Sequence, residues 1–482
     1  MNVPKPRKDL TRVRLKFMLG LFKSSEFAHR RHAIFQVLAC CFWYLGLFPG
    51  RLGFDYALLT RMVQDGEATA WWGATYYWIF RLLTFEGEII YVLSLVGLLI
   101  LTASIFYFID SLSLSMKNRL RVKSFLMATP LYGVFGVNVS HDVFQVSGLL
   151  LFSGLLLRVF LNQKSSTLHV FMISIAASLC LLMTQTGIVI SAFMVLLLSK
   201  VLKIRALIVL IFMALIYSGS GIGLPKSESS IAHVSSTIPR LLLVDLKCVV
   251  QHPDVVPTEA EWLVLERFGT RVAWKEPVPC SNPDILAEPL GLNSLLAKDR
   301  SLEISWPLIQ TYWSVVGRDP AIVVMSHIQR SRVALPPPFF QPPTNQVSWN
   351  VDEPIGLGTN TAIQDGPGLL HPSIDETSVQ IHLQILQPLE VIAQGLTFLI
   401  NQASWFWGWG GLWLYPILFF YFYRMRVRSV RTLSLLLSPT ILLHLSIVLI
   451  GPSSLGRYVM STVYMGFICL LASFEKSGEN RD

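Results

Sequence analysis

Three short polar patches in an otherwise apolar chain hold residues able to do chemistry. The first is Phe48-Pro49-Gly50-Arg51-Leu52-Gly53-Phe54-Asp55-Tyr56, in which Asp55 follows a long apolar run within a few residues. A carboxylate at the edge of a membrane loses hydration, which raises its pKa toward that of a working general base. The ordinary alternative is an N-cap for the amphipathic stretch from Tyr56 to Gln64. The second patch is Asn138-Val139-Ser140-His141-Asp142, at the tip between two apolar runs. Asn, Ser and Asp suit a tight turn in any case, but a His beside an Asp also makes an acid–base couple. The third is Gly451-Pro-Ser-Ser-Leu-Gly-Arg457-Tyr458, whose one cation is Arg457. A guanidinium fork matches a phosphate or a carboxylate, and an interfacial Arg can equally snorkel into water. Two aromatic groups accompany these patches. Trp71, Trp72, Tyr76, Tyr77 and Trp78 read as an interfacial belt, and so do Trp405, Trp407, Trp409 and Trp413, although aromatic rings also stack on sugars.

The elements that must position these residues are apolar. The chain has 482 residues, 52% of them hydrophobic and 14% charged, against about 25% charged in soluble domains. That balance excludes a soluble globular protein, a disordered chain and a coiled coil, and six Cys are too sparse for a disulfide scaffold. The expected fold class is an all-α polytopic membrane protein of about ten transmembrane helices. The runs lie at 34–50, 89–109, 124–140, 143–161, 168–185, 187–199, 206–222, 405–423, 432–450 and 458–473. The stretch 168–199 would make one helix of ~48 Å against a hydrocarbon core of ~30 Å. Thr184, Gln185, Thr186 and Gly187 in its middle therefore predict a turn and two crossings.

The charge fixes an expected orientation. With the N-terminus inside, the inner segments hold 24 of the 39 Lys and Arg and 6 of the 30 Asp and Glu, making the inside +18 and the outside −9. Every short inner loop is basic, as the positive-inside rule requires. The net charge of +9 is then an orientation signal, and no nucleic-acid partner is expected. Both termini are expected in the cytoplasm, in the cell membrane, with a large domain outside. The expected organisation is a basic segment 1–33, helices 1–7 over 34–222 with a first outer loop 51–88, an extracytoplasmic domain 223–390, and helices 8–10 with a short tail over 391–482. Residues 1–33 do not read as a cleavable signal. Leu10, Val13, Phe17 and Leu21 among Arg and Lys read as an amphipathic helix on the inner leaflet or as a basic tail. The outer domain is expected to be mainly helical. Thr258 to Glu261 forms a capping box, Asp319-Pro320 opens a helix to about Ala334, and 335–354 is a Pro-rich loop. Cys248 and Cys280 are the outer cysteines. They can form a disulfide in an oxidising space or remain two buried thiols, because spacing does not fix Cα separation. No zinc-spaced Cys/His pattern, P-loop or dinucleotide fingerprint is present.

Asp55, His141-Asp142 and Arg457 come from three loops that this topology places at one face. Acid–base groups and a cation at a lipid–water boundary suit a lipid-phosphate-linked substrate. The spans hold few ionisable groups, His444 being the clearest, and this disfavours an ion-coupled transporter.

The run FPGRLGFDYALLTRMVQDGEATAWWGATYYWIFRLL resembles the first outer loop of membrane glycosyltransferases of the GT-C fold. TPLYGVFGVNVSHDVF, ISWPLIQTYWSVVGRDPAIVVMSHIQRS and GRYVMSTVYMGFICLL are similar to later parts of the bacterial members. The resemblance implies sugar transfer from a polyprenyl-phosphate donor to a glycan, lipid or protein acceptor on the outer face, with inversion. It implies that Asp55 is the general base. His141 and Asp142 fall at the second acidic position, near the donor phosphate or a divalent cation. Arg457, with Tyr458 beside it, falls where the lipid phosphate is bound. The chain departs from the family pattern in having Phe54-Asp55 where many members have two acidic residues. It has Trp72-Gly73-Ala74 in the region of a His-Pro-Pro run. The competing readings are a lipid-linked polysaccharide polymerase or ligase, and a non-enzymatic glycolipid transporter or scaffold.

Overall fold

The computed structural model describes residues 30–48, 59–60, 63, 74–87, 89–161, 163–184, 187–220, 242–278, 280, 290, 305–331, 334–336, 388–398, 403–407, 409–450 and 459–474. The regular elements among these residues are helices. The first part of the chain forms α1 (30–46), α2 (Ala74–Leu83), α3 (Ile90–Ser111), α4 (Met116–Ala128), α5 (Pro130–Gly136), α6 (His141–Phe160), α7 (Thr167–Leu181), α8 (Gly187–Leu197), α9 (Ser199–Leu202) and α10 (Ile204–Ser220). A second group follows: α11 (242–250), α12 (Glu259–Leu265), α13 (Arg271–Lys275), α14 (Trp306–Val316) and α15 (Pro320–Arg330). The last part holds α16 (388–398), α17 (Ser404–Trp407), α18 (Gly410–Phe419), α19 (Val430–Ile450) and α20 (Met460–Ser473). Among the described residues, Tyr91–Ser111, His141–Phe160 and Val430–Val448 are long and apolar enough to cross a membrane. Thr167–Leu181, Gly187–Leu197, Ile204–Gly219 and Met460–Ser473 are apolar but shorter. The described residues are thus helical in their regular structure, with three candidate membrane helices among them.

Helix α6 is the central post, buried from Asp142 to Leu157. It packs against α3, α7, α19 and α20. Gly148 lets α7 approach closely, since a Cβ there would lie 2.8 Å from the Ala177 carbonyl. The predicted turn after α7 is present. The Ser191 hydroxyl donates to Ser178 at 2.9 Å, whereas thirteen residues of continuous helix would part them by ~20 Å. The chain therefore reverses between α7 and α8. Thr184 stabilises the reversal by accepting from the Gly187 N–H at 3.0 Å.

Two expected runs are divided, 405–423 into α17 and α18 and 124–140 further upstream. The stretch 124–140 breaks at Thr129-Pro130 into α4 and α5, because proline cannot donate to the turn before it. The freed Met127 carbonyl accepts the Trp43 indole N–H at 2.9 Å, and the Leu131 carbonyl accepts the Tyr464 hydroxyl at 2.9 Å. Gly133 leaves room for Trp43, whose ring would lie 1.9 Å from a Cβ there.

Side-chain contacts define two ends of the helical array. At one end Lys123 pairs with Asp110 at 2.8 Å, Arg158 donates to Ser111 at 2.9 Å, and His32 bonds Ser124 at 2.9 Å. At the other, Tyr44 donates to the Tyr91 carbonyl at 3.1 Å and Ser94 to the Val137 carbonyl at 2.9 Å.

Helices α11 to α15 belong to the expected extracytoplasmic domain, are called the outer unit for that reason, and pack around Leu246, Trp262, Leu265, Trp274, Leu308 and Val315. The Thr258–Glu261 capping box is formed, and Arg318 grips Glu261 through both carboxylate oxygens. Cys248 and Cys280 are joined in a disulfide, with Cα atoms 5.4 Å apart. Lys247 is fully buried, its ammonium donating to the carbonyls of Trp274 and Glu276. The helix opened by Asp319-Pro320 ends at Arg330, short of Ala334, and residues 334 and 335 lie against membrane-array helices. The Ala334 carbonyl accepts from His444 Nδ1 at 2.6 Å, and the Leu335 carbonyl accepts from Trp409 at 2.7 Å. Gly411 makes space for the Leu335 backbone, because a Cβ there would lie 2.0 Å from the Leu335 oxygen. Trp409 and Trp413 are consequently buried within the protein and are not belt residues, with Trp413 stacked on Trp407 at 5.4 Å.

Removing the bridge with Cys248→Ala and Cys280→Ala frees a loop of 32 residues in sequence separation. We expect a loss of about 3–4 kcal/mol, read by pulse proteolysis of the outer unit, and unchanged resistance would show that the bridge adds no constraint. Burial lowers Lys247 from the ordinary 10.5 to about 8. Between those values the unfolded chain holds a proton that the native site lacks, so stability should rise with pH across that window. Thermal unfolding should show this rise in the natural chain and not in Lys247→Met.

Candidate functional site

Ser140 ends the tip and caps α6. Its hydroxyl accepts the Asp142 N–H at 3.0 Å and donates to Asp142 Oδ2 at 2.8 Å. The turn reading of these residues therefore holds, and capping explains why Ser and Asp stand there. Burial is the part that capping does not explain. Asp142 is 1% exposed, although a carboxylate at a helix N-terminus is stable in water. His141 Nε2 lies 3.5 Å from Asp142 Oδ1. Above them sits Tyr76 of α2, edge-on to the His141 ring at 5.6 Å between centroids.

The roof over this pair is built from residues of the expected first outer loop. Leu59, Val63, Tyr76, Tyr77 and Phe80 pack with Leu93, Val139, Phe144, Cys180 and Met183. Tyr76 and Tyr77 are fully buried, so these two rings are core and not an interfacial belt. Burial, and then the Asp142 charge, holds the Tyr76 phenol well above its ordinary value, so it remains a neutral hydroxyl. Of the residues singled out in the sequence, the structure thus brings His141 and Asp142 together with Tyr76. Asp55, Arg457 and Tyr458 lie outside the described residues. The N-terminal amphipathic segment and most of the Pro-rich loop do too.

Two further polar groups lie near this end, and sequence reading passed over both. Glu390 of α16 accepts from Gln394 at 2.9 Å, and burial raises its pKa. Helix α16 rests on α1, where Gly46 faces the Leu389 carbonyl and the Ala393 side chain. A lone Glu in the apolar stretch Leu389-Glu390-Val391-Ile392 was the available signal. The second group joins the outer unit to α19. Asp245 Oδ2 accepts the Tyr312 hydroxyl at 3.2 Å and lies 3.1 Å from His327 Nε2. His327 Nδ1 lies 3.1 Å from the Val448 carbonyl. His444, the titratable residue inside a predicted span, bonds Ala334 and Thr462 and acts as a clamp between segments. Among the described residues, no group of three or more His, Cys, Asp or Glu side chains is placed to hold a metal ion.

No protein-family model, curated protein or solved structure matches the chain. The functional reading accordingly rests on the residues and their geometry.

Replacing the cap isolates its structural share. Ser140→Ala should cost about 1 kcal/mol in a detergent thermal-unfolding assay, and Ser140→Thr should restore most of it. A Ser140→Ala chain as stable as the natural one would remove the cap from the account.

Proposed function

We propose that the chain is an integral membrane glycosyltransferase with a GT-C-like arrangement of about ten spans. It transfers a sugar from a polyprenyl-phosphate donor to a glycan, lipid or protein acceptor of the cell envelope. Both termini face the cytoplasm and the outer unit faces out. The observation that carries this reading is the buried Asp142 beside a half-buried His141, roofed by residues of the first outer loop. It puts an acid–base couple at one end of an apolar array, where the reactive end of a lipid-linked substrate would sit. A disulfide in the outer unit accords with an oxidising exterior, and the basic loops accord with the opposite end facing the cytoplasm.

Asp55 is the general base that takes the acceptor hydroxyl proton. The acceptor oxygen forms its bond to the anomeric carbon as the bond to the donor phosphate breaks, and the configuration inverts. Arg457 and Tyr458 hold the departing phosphate, whose growing charge the guanidinium offsets. His141 and Asp142 shape the donor side of the site. A divalent cation, if used, would draw on Asp142.

Transfer from labelled polyprenyl-phosphate hexoses and pentoses, in proteoliposomes, tests the assignment. Asp55→Asn should lower turnover by ~10²-fold or more with the chain still inserted and folded. Arg457→Ala should lower kcat and kcat/KM together, because the charge that the guanidinium offsets grows as the phosphate departs. Asp55→Asn that transfers sugar like the natural chain would sink the base assignment. Movement of the lipid carrier without a new glycosidic bond would favour the transporter reading.

A further inference from the structure

Helix α15 turns an apolar face outward. Ala321, Val324, Met325 and Ile328 lie three, four and seven residues along the helix from the first, and so share one side. Val324 is 55% exposed and Met325 52%. The other side is committed inward, with Val323 in the outer unit's core and the buried Ser326 donating to the Cys280 carbonyl at 3.0 Å.

The position of that face follows from two hydrogen bonds. His327 lies 3.1 Å from the Val448 carbonyl, and the Ser331 hydroxyl donates to the Ile447 carbonyl at 3.3 Å. Val448 closes the apolar span of α19, so α15 sits where that span ends. Helix α19 itself turns Ile441 and Leu445 outward, each 49% exposed, with Val448 in line one turn further on. The two helices meet at the His327–Val448 contact, which brings α15 to the end of the α19 stripe. Nearby, Tyr312 of α14 donates to the same Asp245 oxygen that faces His327. Its neighbour Trp313 is 68% exposed, and Trp306, two turns earlier on the same side, is 67% exposed. Indole rings favour the headgroup zone of a bilayer.

We infer that α15 is an interfacial helix whose Ala321–Ile328 stripe lies in the headgroup–acyl boundary, continuing the lipid-facing surface of α19 onto the outer unit. The occupant of this face is the bilayer, and helices of this kind lie in its plane with their apolar side down. The inference rests on α19 being a membrane span and is independent of sugar transfer.

Photocrosslinking of the full chain in phosphatidylethanolamine–phosphatidylglycerol vesicles tests it. p-Benzoylphenylalanine is introduced in turn at Met325, at Leu445 as the span reference, and at Asp254, whose side chain is 87% exposed, as the aqueous reference. An intact Cys248–Cys280 bridge in each product, read by mass spectrometry, confirms folding. The expected result is a lipid adduct at Met325 comparable to that at Leu445 and several-fold above Asp254. A peptide or glycan adduct at Met325, or a lipid yield no higher than at Asp254, overturns the inference. Loss of the lipid adduct at both Met325 and Leu445 overturns the span reading with it. None of these outcomes depends on whether the chain transfers sugar.

Discussion

In an apolar helical array every backbone carbonyl must find a donor inside the protein, because lipid supplies none. The break at Thr129-Pro130 shows how far the chain goes to meet that demand. Trp43 from α1 and Tyr464 from α20 each bring a donor to a carbonyl beside the break. Gly133 gives up its side chain so that the indole can reach. Three distant segments are thereby tied to one kink, and α5 is aimed at the tip that begins α6. The buried Asp142 depends on this arrangement, since α5 delivers the residues that precede Ser140.

The same demand explains the contacts made after α15. The Ala334 and Leu335 carbonyls lie outside any long helix, so donors must be built in around them. His444 and Trp409 supply them. Gly411 lets the backbones approach. A His and a Trp in such places resemble a proton relay and a sugar platform when read in isolation. Their partners show that they close hydrogen bonds.

Much of the fold was legible because composition and local signals carry it. The apolar runs, the Thr258–Glu261 capping box and the reversal near Thr184 and Gly187 need no distant partner to be recognised. The Thr129-Pro130 break was written in the sequence too, but the apolar count around it masked it. The Cys248–Cys280 bridge stayed open because sequence spacing says nothing of Cα separation. The aromatics misled for a physical reason. Tyr76, Tyr77, Trp409 and Trp413 have the composition of an interfacial belt, and only packing against residues far along the chain reveals them as core. At the candidate site, local sequence identified Ser140, His141 and Asp142. It did not identify Tyr76 as their cover or join Asp245 to His327, 82 residues away.

The contacts of His327, Ala334 and Leu335 also bear on how the protein can be handled. The outer unit has its own disulfide and core, which invites its production as a separate soluble piece. Such a piece would lose the Val448 carbonyl that faces His327, the imidazole that meets Ala334 and the indole that meets Leu335. Its floor belongs to the membrane helices, so the two parts form one folding unit despite looking like a domain and its anchor.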